Sequence, residues 1–369
     1  MKFIVLLAAL LIYSNSIFAA QLQCQDLFLA GRTEPISRFE TRLSRLNELL
    51  PATLSPDQVI NSMNSESVRA ILLQLQGLAK IYELSNYENV DLTKFSEFRA
   101  EVKEFEDHLG TYMRRRELLK HVIDTQVSPK VLAAIETEVI RERDILKSFM
   151  LEKNWLPNPA KKILFLEKQL QEVTFPKKKE DQKMRAKGII KLIKHYRSSI
   201  ENLATYIYKP NYNEADLEAG LHSFRRELRW VILAIGSSDG QFYNRPPKNS
   251  SPELQQLESS YGQSKYLDMA PPQVDALQLN RQSMLILTKL VDQLGRLKDF
   301  KESQLDLVRA LKAAKSFIDP VAAQKFAYDR MADTFGLIDV ELETRKLYEF
   351  YLQSDPLKEL LNTLKRQID

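Results

Sequence analysis

The chain has 369 residues, 44% of them hydrophobic and 28% charged, with only ten glycines and a single cysteine. That length can bury a large core, and the lone thiol excludes an internal disulfide framework. The 53 basic and 49 acidic residues leave a formal charge of +4, so overall charge points to neither a nucleic-acid nor a membrane partner, and an anion site has to come from local clustering.

The first stretch, MKFIVLLAALLIYSNSIFAA, carries one positive charge at Lys2, an apolar run over 3–12, a polar break, and small residues at Ala19 and Ala20. This pattern predicts a signal peptide over 1–20, an exported chain that is periplasmic or secreted, and no transmembrane span in the mature protein. Cys24 follows Gln23 rather than a small residue, which argues against lipid attachment.

From residue 21 onward almost every segment has helical period. SESVRAILLQLQGLAKIYEL places Val68, Leu72, Leu75, Leu78 and Ile81 on one face, within an N-terminal helical segment over 21–94. PKVLAAIETEVIRERDILKSFML repeats the pattern through Leu132, Ile135, Val139, Leu146 and Met150, and NRQSMLILTKLVDQLGRL and KESQLDLVRALKAAKSFI do the same. These belong to a core over 95–315, followed by a helical extension over 316–369. No sustained alternation of period two occurs, so the expected fold class is all-α, a multi-helix bundle. Proline and asparagine clusters such as LPATLSPDQ, NWLPNPAKK and SDPLKE read as the turns between helices. One interruption is longer: residues 236–272 are rich in Ser, Gly, Pro and Gln and read as a long loop.

Signatures of catalysis are missing. There is no Gly-rich phosphate loop, no GxSxG elbow and no HExxH pair, and His108, His121, His195 and His222 lack metal-ligand spacing. The expectation is a non-enzymatic protein with no cofactor, no metal site and no specific nucleic-acid motif.

Basic clustering is the stronger signal. In LHSFRRELRW, His222, Arg225, Arg226 and Arg229 fall at i, i+3, i+4 and i+7, beside an apolar face made by Leu221, Phe224, Leu228, Val231, Ile232 and Ile235. Glu227 is off this stripe and Glu218 lies four residues before it, so little neutralisation is expected. A second stripe joins Lys183, Lys187, Lys191 and Lys194, in a run from 177 to 197 whose only acids are Glu180 and Asp181. Arginine forks grip phosphate oxygens in pairs and lysines add point charges, so the chemistry fits a polyanion. YMRRRELLKHVI at 112–123 also echoes HSFRRELRWVIL at 222–233, aligning Arg115, Arg116, Glu117 and Leu118 with Arg225, Arg226, Glu227 and Leu228.

LHSFRRELRW followed by LVDQLGRLKDF resembles the CHAD family of conserved-histidine α-helical domains, over roughly residues 95–315. His222, Arg225 and Arg229 match the first motif of that family; Leu294, Gly295, Lys298 and Asp299 match the second. Tyr112 stands where a first-unit histidine belongs, and Lys298 replaces the usual arginine. The resemblance implies two CHAD-like helical repeats around a basic cavity and binding of inorganic polyphosphate. The grip would comprise His222, Arg225, Arg226, Arg229, Lys183, Lys187, Lys191 and Lys194, with Arg115 and Arg116 opposite and Arg143, Lys298 and Arg296 as second-rank contributors. The competing expectation is a helical scaffold of the cell envelope with protein partners and no anion ligand. In the first case the stripes converge on one concavity; in the second they point apart.

Overall fold

The computed structural model describes residues 35–85, 91–123, 127–209, 214–244, 251–264, 266–267, 269, 271–273, 275–316 and 319–368. The leader expected at 1–20, Cys24, and residues 245–250, 265, 268 and 270 of the expected loop lie outside the described residues. Of those described, 80% are helical, and the chain is an all-α multi-helix bundle.

Thirteen helices of seven residues or more occur among the described residues: α1 (Ser37–Leu49), α2 (Pro56–Ser62), α3 (Ser65–Ser85), α4 (Thr93–Ile123), α5 (Pro129–Glu152), α6 (Pro159–Gln171), α7 (Lys178–Glu201), α8 (Ser223–Gly236), α9 (Pro252–Tyr261), α10 (Arg281–Ala313), α11 (Pro320–Phe335), α12 (Val340–Ser354) and α13 (Pro356–Ile368). The proline-marked turns stop and start them through local hydrogen bonds. Ser55 accepts from the Gln58 amide and the Gln58 side chain returns to the Ser55 N–H, which closes a capping box at α2. Asn158 caps α6 ahead of Pro159, and Asp319 caps α11 ahead of Pro320. Asp355 takes a left-handed conformation (φ 35°) to end α12, and Pro356 opens α13.

Two apolar cores result. The first is built from α1 to α6, where Phe39, Tyr82, Phe95, Phe98 and Phe175 stack together, Tyr82 and Phe95 with ring centroids 4.9 Å apart. The second is built mainly from α8 and α10 to α13, with Leu228, Val231, Leu290, Leu294, Tyr348 and Leu360 at its centre. Helix α7 links them: Met184 enters the first core, and Ile189, Leu192 and Ile193 enter the second.

The stretch 236–272 departs from the expectation of a long loop. Ser237, Ser238, Asp239, Gln241 and Phe242 are buried, Phe242 and Tyr243 pair in parallel with Leu277 and Gln278, and Pro252–Tyr261 forms α9 under a Ser251 cap. Burial of so polar a segment is made possible by arginines from elsewhere. Arg42 donates to Asp239 (2.7 and 3.1 Å) and to the Ser237 carbonyl, and Arg185 donates to the Ser238 carbonyl at 2.8 Å. Arg185 also reaches Asp181 (3.0 Å), which accepts from Arg38 (2.9 Å) and from the Tyr82 hydroxyl (2.5 Å). Buried polar groups persist when they have partners, and this network supplies most of them, leaving Arg38 Nε and Gln241 Oε1 without a hydrogen bond. It ties α1, α3 and α7 to the chain leaving α8.

Candidate functional site

A wide π-helical turn, Glu218–His222, leads directly into α8. The stripe expected along this helix splits into two groups with different fates.

The first group is paired internally. His222 stands with Nδ1 2.5 Å from Glu218 Oε2 and Nε2 3.3 Å from Glu302 Oε1. Glu218 also takes the exposed Arg226, at 3.3 Å. The hydrogen bond from His222, followed by the attraction of His222 and Arg226, holds the Glu218 carboxyl below the usual carboxylate range despite its partial burial. Glu302 receives Lys298 (2.6 Å) and Arg114 (3.4 Å), and Lys298 also meets Asp299 (2.8 Å). One turn further on, Asp306 takes Arg115 (2.5 Å), Arg309 (2.7 Å) and Arg114 (3.5 Å). Arg116 lies over the Tyr112 ring at 5.5 Å. The stripe is therefore far more neutralised than its own helix indicates. Glu218 folds back on it, and α10 presents Glu302 and Asp306 from across the interface.

The second group is Arg225 and Arg229, joined by Arg69 from α3. Arg225 lies across Gly295 on α10: a Cβ there would sit 3.1 Å from its Nε and 3.3 Å from Nη2, and Nε donates to the Val291 carbonyl at 3.4 Å. Arg69 lies across Gly110 on α4 in the same way, with a Cβ 3.2 Å from Nη2, and its Nε donates to Glu106 at 2.7 Å. In both places the hydrogen-bond partner is four residues before the glycine, the glycine follows a leucine (Leu109, Leu294), and the arginine ends a Ser-x-Arg triplet (Ser67–Val68–Arg69, Ser223–Phe224–Arg225). Helices α3 and α8 cross where Gly77 meets the Leu233 carbonyl, each eight residues beyond its arginine. The pairs α3/α4 and α8/α10 thus repeat one arrangement. This is a different repeat from the echo at 112–123 and 222–233, which aligns α4 with α8, helices in non-equivalent places.

Arg229 has no such partner. Its Nε is buried without a hydrogen bond, and among the described residues no carboxylate or carbonyl pairs with its guanidinium. Burial pulls its pKa down to about 10, helped by repulsion from Arg225 and Arg69 and opposed by the attraction of Glu106 and Tyr266.

The lysine stripe lies elsewhere. Lys183, Lys187, Lys191 and Lys194 are exposed on α7, whose opposite face packs on α3 and α8. Lys191 reaches the Ser85 carbonyl at 3.5 Å, sixteen residues along α3 from Arg69, roughly 24 Å at 1.5 Å per residue. The structure therefore brings Arg225 and Arg229 together and adds Arg69, but leaves the lysines outside their contacts. Arg143 pairs with Asp144 (2.9 Å), and Arg296 donates to the Phe335 carbonyl (3.3 Å). Arg69, Glu106, Glu302 and Asp306 are participants that the sequence reading missed; the doubled Ser-x-Arg and Leu-Gly pairs are the signal that could have found Arg69.

Among the described residues no cluster of His, Cys, Asp and Glu could hold a metal ion, and no helix is long and apolar enough to cross a membrane. Compared with protein-family models, curated proteins and solved structures, the chain matches none. The resemblance to CHAD proteins rests on the short motifs alone.

Proposed function

We propose that this is a non-enzymatic binding protein for a polyanion, inorganic polyphosphate being the simplest, exported through the leader at 1–20. The reading is supported by one observation above all: Arg229, with its Nε buried, stands beside two further arginines and has no hydrogen bond or ion pair among the described residues. Burying an unpaired guanidinium costs several kcal/mol, so a fold that retains one gains most when an anion arrives. Arg225, Arg69 and Arg229 together offer forked donors suited to phosphate oxygens. His222, Arg226, Arg115 and Lys298 then act as a surround whose acids hold the cations in place.

The lysines of α7 and the self-paired surround fit equally the alternative of an envelope scaffold with protein partners, in which these charges are solvated faces. A polyphosphate titration at two salt concentrations separates the readings, using the natural protein and an Arg225→Glu/Arg229→Glu variant. The binding reading expects affinity that falls about tenfold or more between 50 and 200 mM salt and is lost in the variant. Absence of binding at low salt, or equal and salt-insensitive behaviour of both proteins, sinks it.

A further inference from the structure

Helix α7 is exposed along one side, and its charge there is arranged against the habit of the rest of the chain. Lys183, Lys187, Lys191 and Lys194 follow one another at three- and four-residue spacing, where like charges repel along a helix. None has a carboxylate partner among the described residues; Lys191 alone makes a contact, to the Ser85 carbonyl. Elsewhere this spacing joins opposite charges, as in Lys103–Asp107 and Lys298–Glu302 and, on α7 itself, Arg185–Asp181 and Arg197–Glu201. The division on α7 is by residue type: its arginines are held by carboxylates and these lysines are left to solvent. The exposed acids Glu180 and Glu201 lie at its two ends, and Arg197 takes Glu201 at 3.2 Å.

Helix α13 widens this surface. It packs on α7 and runs the opposite way. Arg197, near the end of α7, donates to Asp355 just ahead of α13 (2.9 and 3.0 Å). Gln182, at the start of α7, donates to the Asp275 carbonyl, three residues from Gln278, which bonds Gln367 at the end of α13. Both helices turn apolar sides into the second core, Ile189 and Ile193 from one and Leu357, Leu360 and Leu364 from the other, so their exposed sides adjoin. Lys358, Lys365 and Arg366 are exposed on α13, none with a carboxylate partner among the described residues, and Glu359 is the one acid within that helix. The lysines of α7 span about 16 Å and the helix axes stand about 8–10 Å apart, which makes a broad patch rather than a single line of charge. Neither helix exposes a large apolar side chain.

We infer that the α7–α13 face docks on an anionic lipid surface, held by electrostatic attraction with no side chain inserted. Lysine is a compact, hydrated point charge without the fork that grips a single phosphate, and a broad patch of such charges is complementary to an extended negative plane. Each lysine close to such a plane strengthens attachment about fivefold, and the attraction is screened over about 10 Å of salt solution. The inference does not depend on the anion-binding reading of Arg225 and Arg229.

The test is co-sedimentation of the protein with vesicles of phosphatidylcholine alone or with about one-third phosphatidylglycerol, at about 50 and about 200 mM salt. Binding is expected to the anionic vesicles only, falling about tenfold or more at the higher salt. Lys187→Gln/Lys191→Gln should lower it about twentyfold, and adding Lys365→Gln about fivefold more. Lys120→Gln/Lys346→Gln removes as much charge from lysines paired with Glu117 and Glu343 on other helices, and should change binding less than about twofold. Absence of binding to the anionic vesicles at low salt, equal binding to the neutral ones, or equal losses from the two double variants overturns the proposal. So does loss of polyphosphate affinity in Lys187→Gln/Lys191→Gln with vesicle binding unchanged, which assigns the lysines to a soluble polyanion instead.

Discussion

Between α1, α3 and α7, the buried Arg38, Arg42 and Arg185 meet two buried aspartates, a tyrosine hydroxyl, the Gln74 side-chain oxygen and three backbone carbonyls; between α3, α8 and α10, Arg69, Arg225 and Arg229 meet one glutamate and one carbonyl. The first place takes its guanidinium groups fully out of water, the second only in part. In the first, each arginine is answered by a carboxylate, and Asp181 holds Arg38 and Arg185 at 2.9 and 3.0 Å. In the second, Arg229 has no hydrogen bond or ion pair among the described residues, only the weaker attraction of Glu106 and Tyr266. Burial of charge alone does not mark a binding site. What marks it is burial with the partner left out, because the fold then carries an electrostatic cost that a ligand can remove.

The comparison predicts opposite signs for mutations of similar kind. Asp181→Ala leaves two buried guanidiniums without their shared carboxylate and should destabilise the protein by about 3–5 kcal/mol. Chemical denaturation checks this, and a loss below about 1 kcal/mol would mean that the network is dispensable. Arg229→Met should do the reverse. The lowered pKa of Arg229 means that its charged form is disfavoured in the folded state, and at neutral pH the whole of that cost is present. It is relieved only as pH rises above about 10, where the folded protein releases the proton and the unfolded chain still holds it. Replacing it with an uncharged side chain of similar length should raise stability without ligand by about 1–2 kcal/mol, after allowance for partial access of water to the guanidinium, while abolishing anion binding. A variant that is both weaker in binding and less stable would make Arg229 an ordinary packing residue.

The glycines under the arginines give a smaller effect. Gly295→Ala places a methyl 3.1 Å from Arg225 Nε, closer than neighbouring atoms normally sit, so the guanidinium must shift. The backbone there is helical and alanine favours helix, so stability should change by less than about 1 kcal/mol. Anion affinity should nevertheless fall severalfold, whereas Gly110→Ala, acting on an arginine already tied to Glu106, should cost less. Equal losses from the two would erase the distinction between a paired and an unpaired half.

These differences explain which parts could be read from sequence. The all-α class was legible because segments such as 65–85 and 281–313 keep strict helical period, and because Ser, Asn and Asp before proline mark the breaks. Residues 237–242 were misread because polar composition normally means solvent; here burial depends on Arg42 and Arg185, which arrive from helices distant in sequence. The arginine stripe on α8 was legible for the same reason as its helix. Its electrostatics were not, since spacing along one helix says which residues share a face and nothing about what faces them. Glu302 and Asp306 lie some eighty residues downstream, and Arg69 sits in a helix that reads as core.

Glu218 offers the smallest and most local test of the same contrast. Its carboxyl is held low by the hydrogen bond from His222, then by the attraction of His222 and Arg226. A carboxylate whose folded pKa is lowered adds stability that is full above its unfolded value and is lost as pH falls through the folded one. Glu218 is more than half exposed, so this amounts to a few tenths of a kcal/mol, visible as a slight steepening of the acid limb below about pH 5. Glu218→Gln should flatten that limb. It also releases Arg226 and one side of His222 on the helix that carries the unpaired Arg229, so anion affinity should rise about twofold. Affinity that instead falls would show that Glu218 matters mainly by orienting His222 and Arg226 toward the ligand, and would place those two residues inside the grip rather than in its surround.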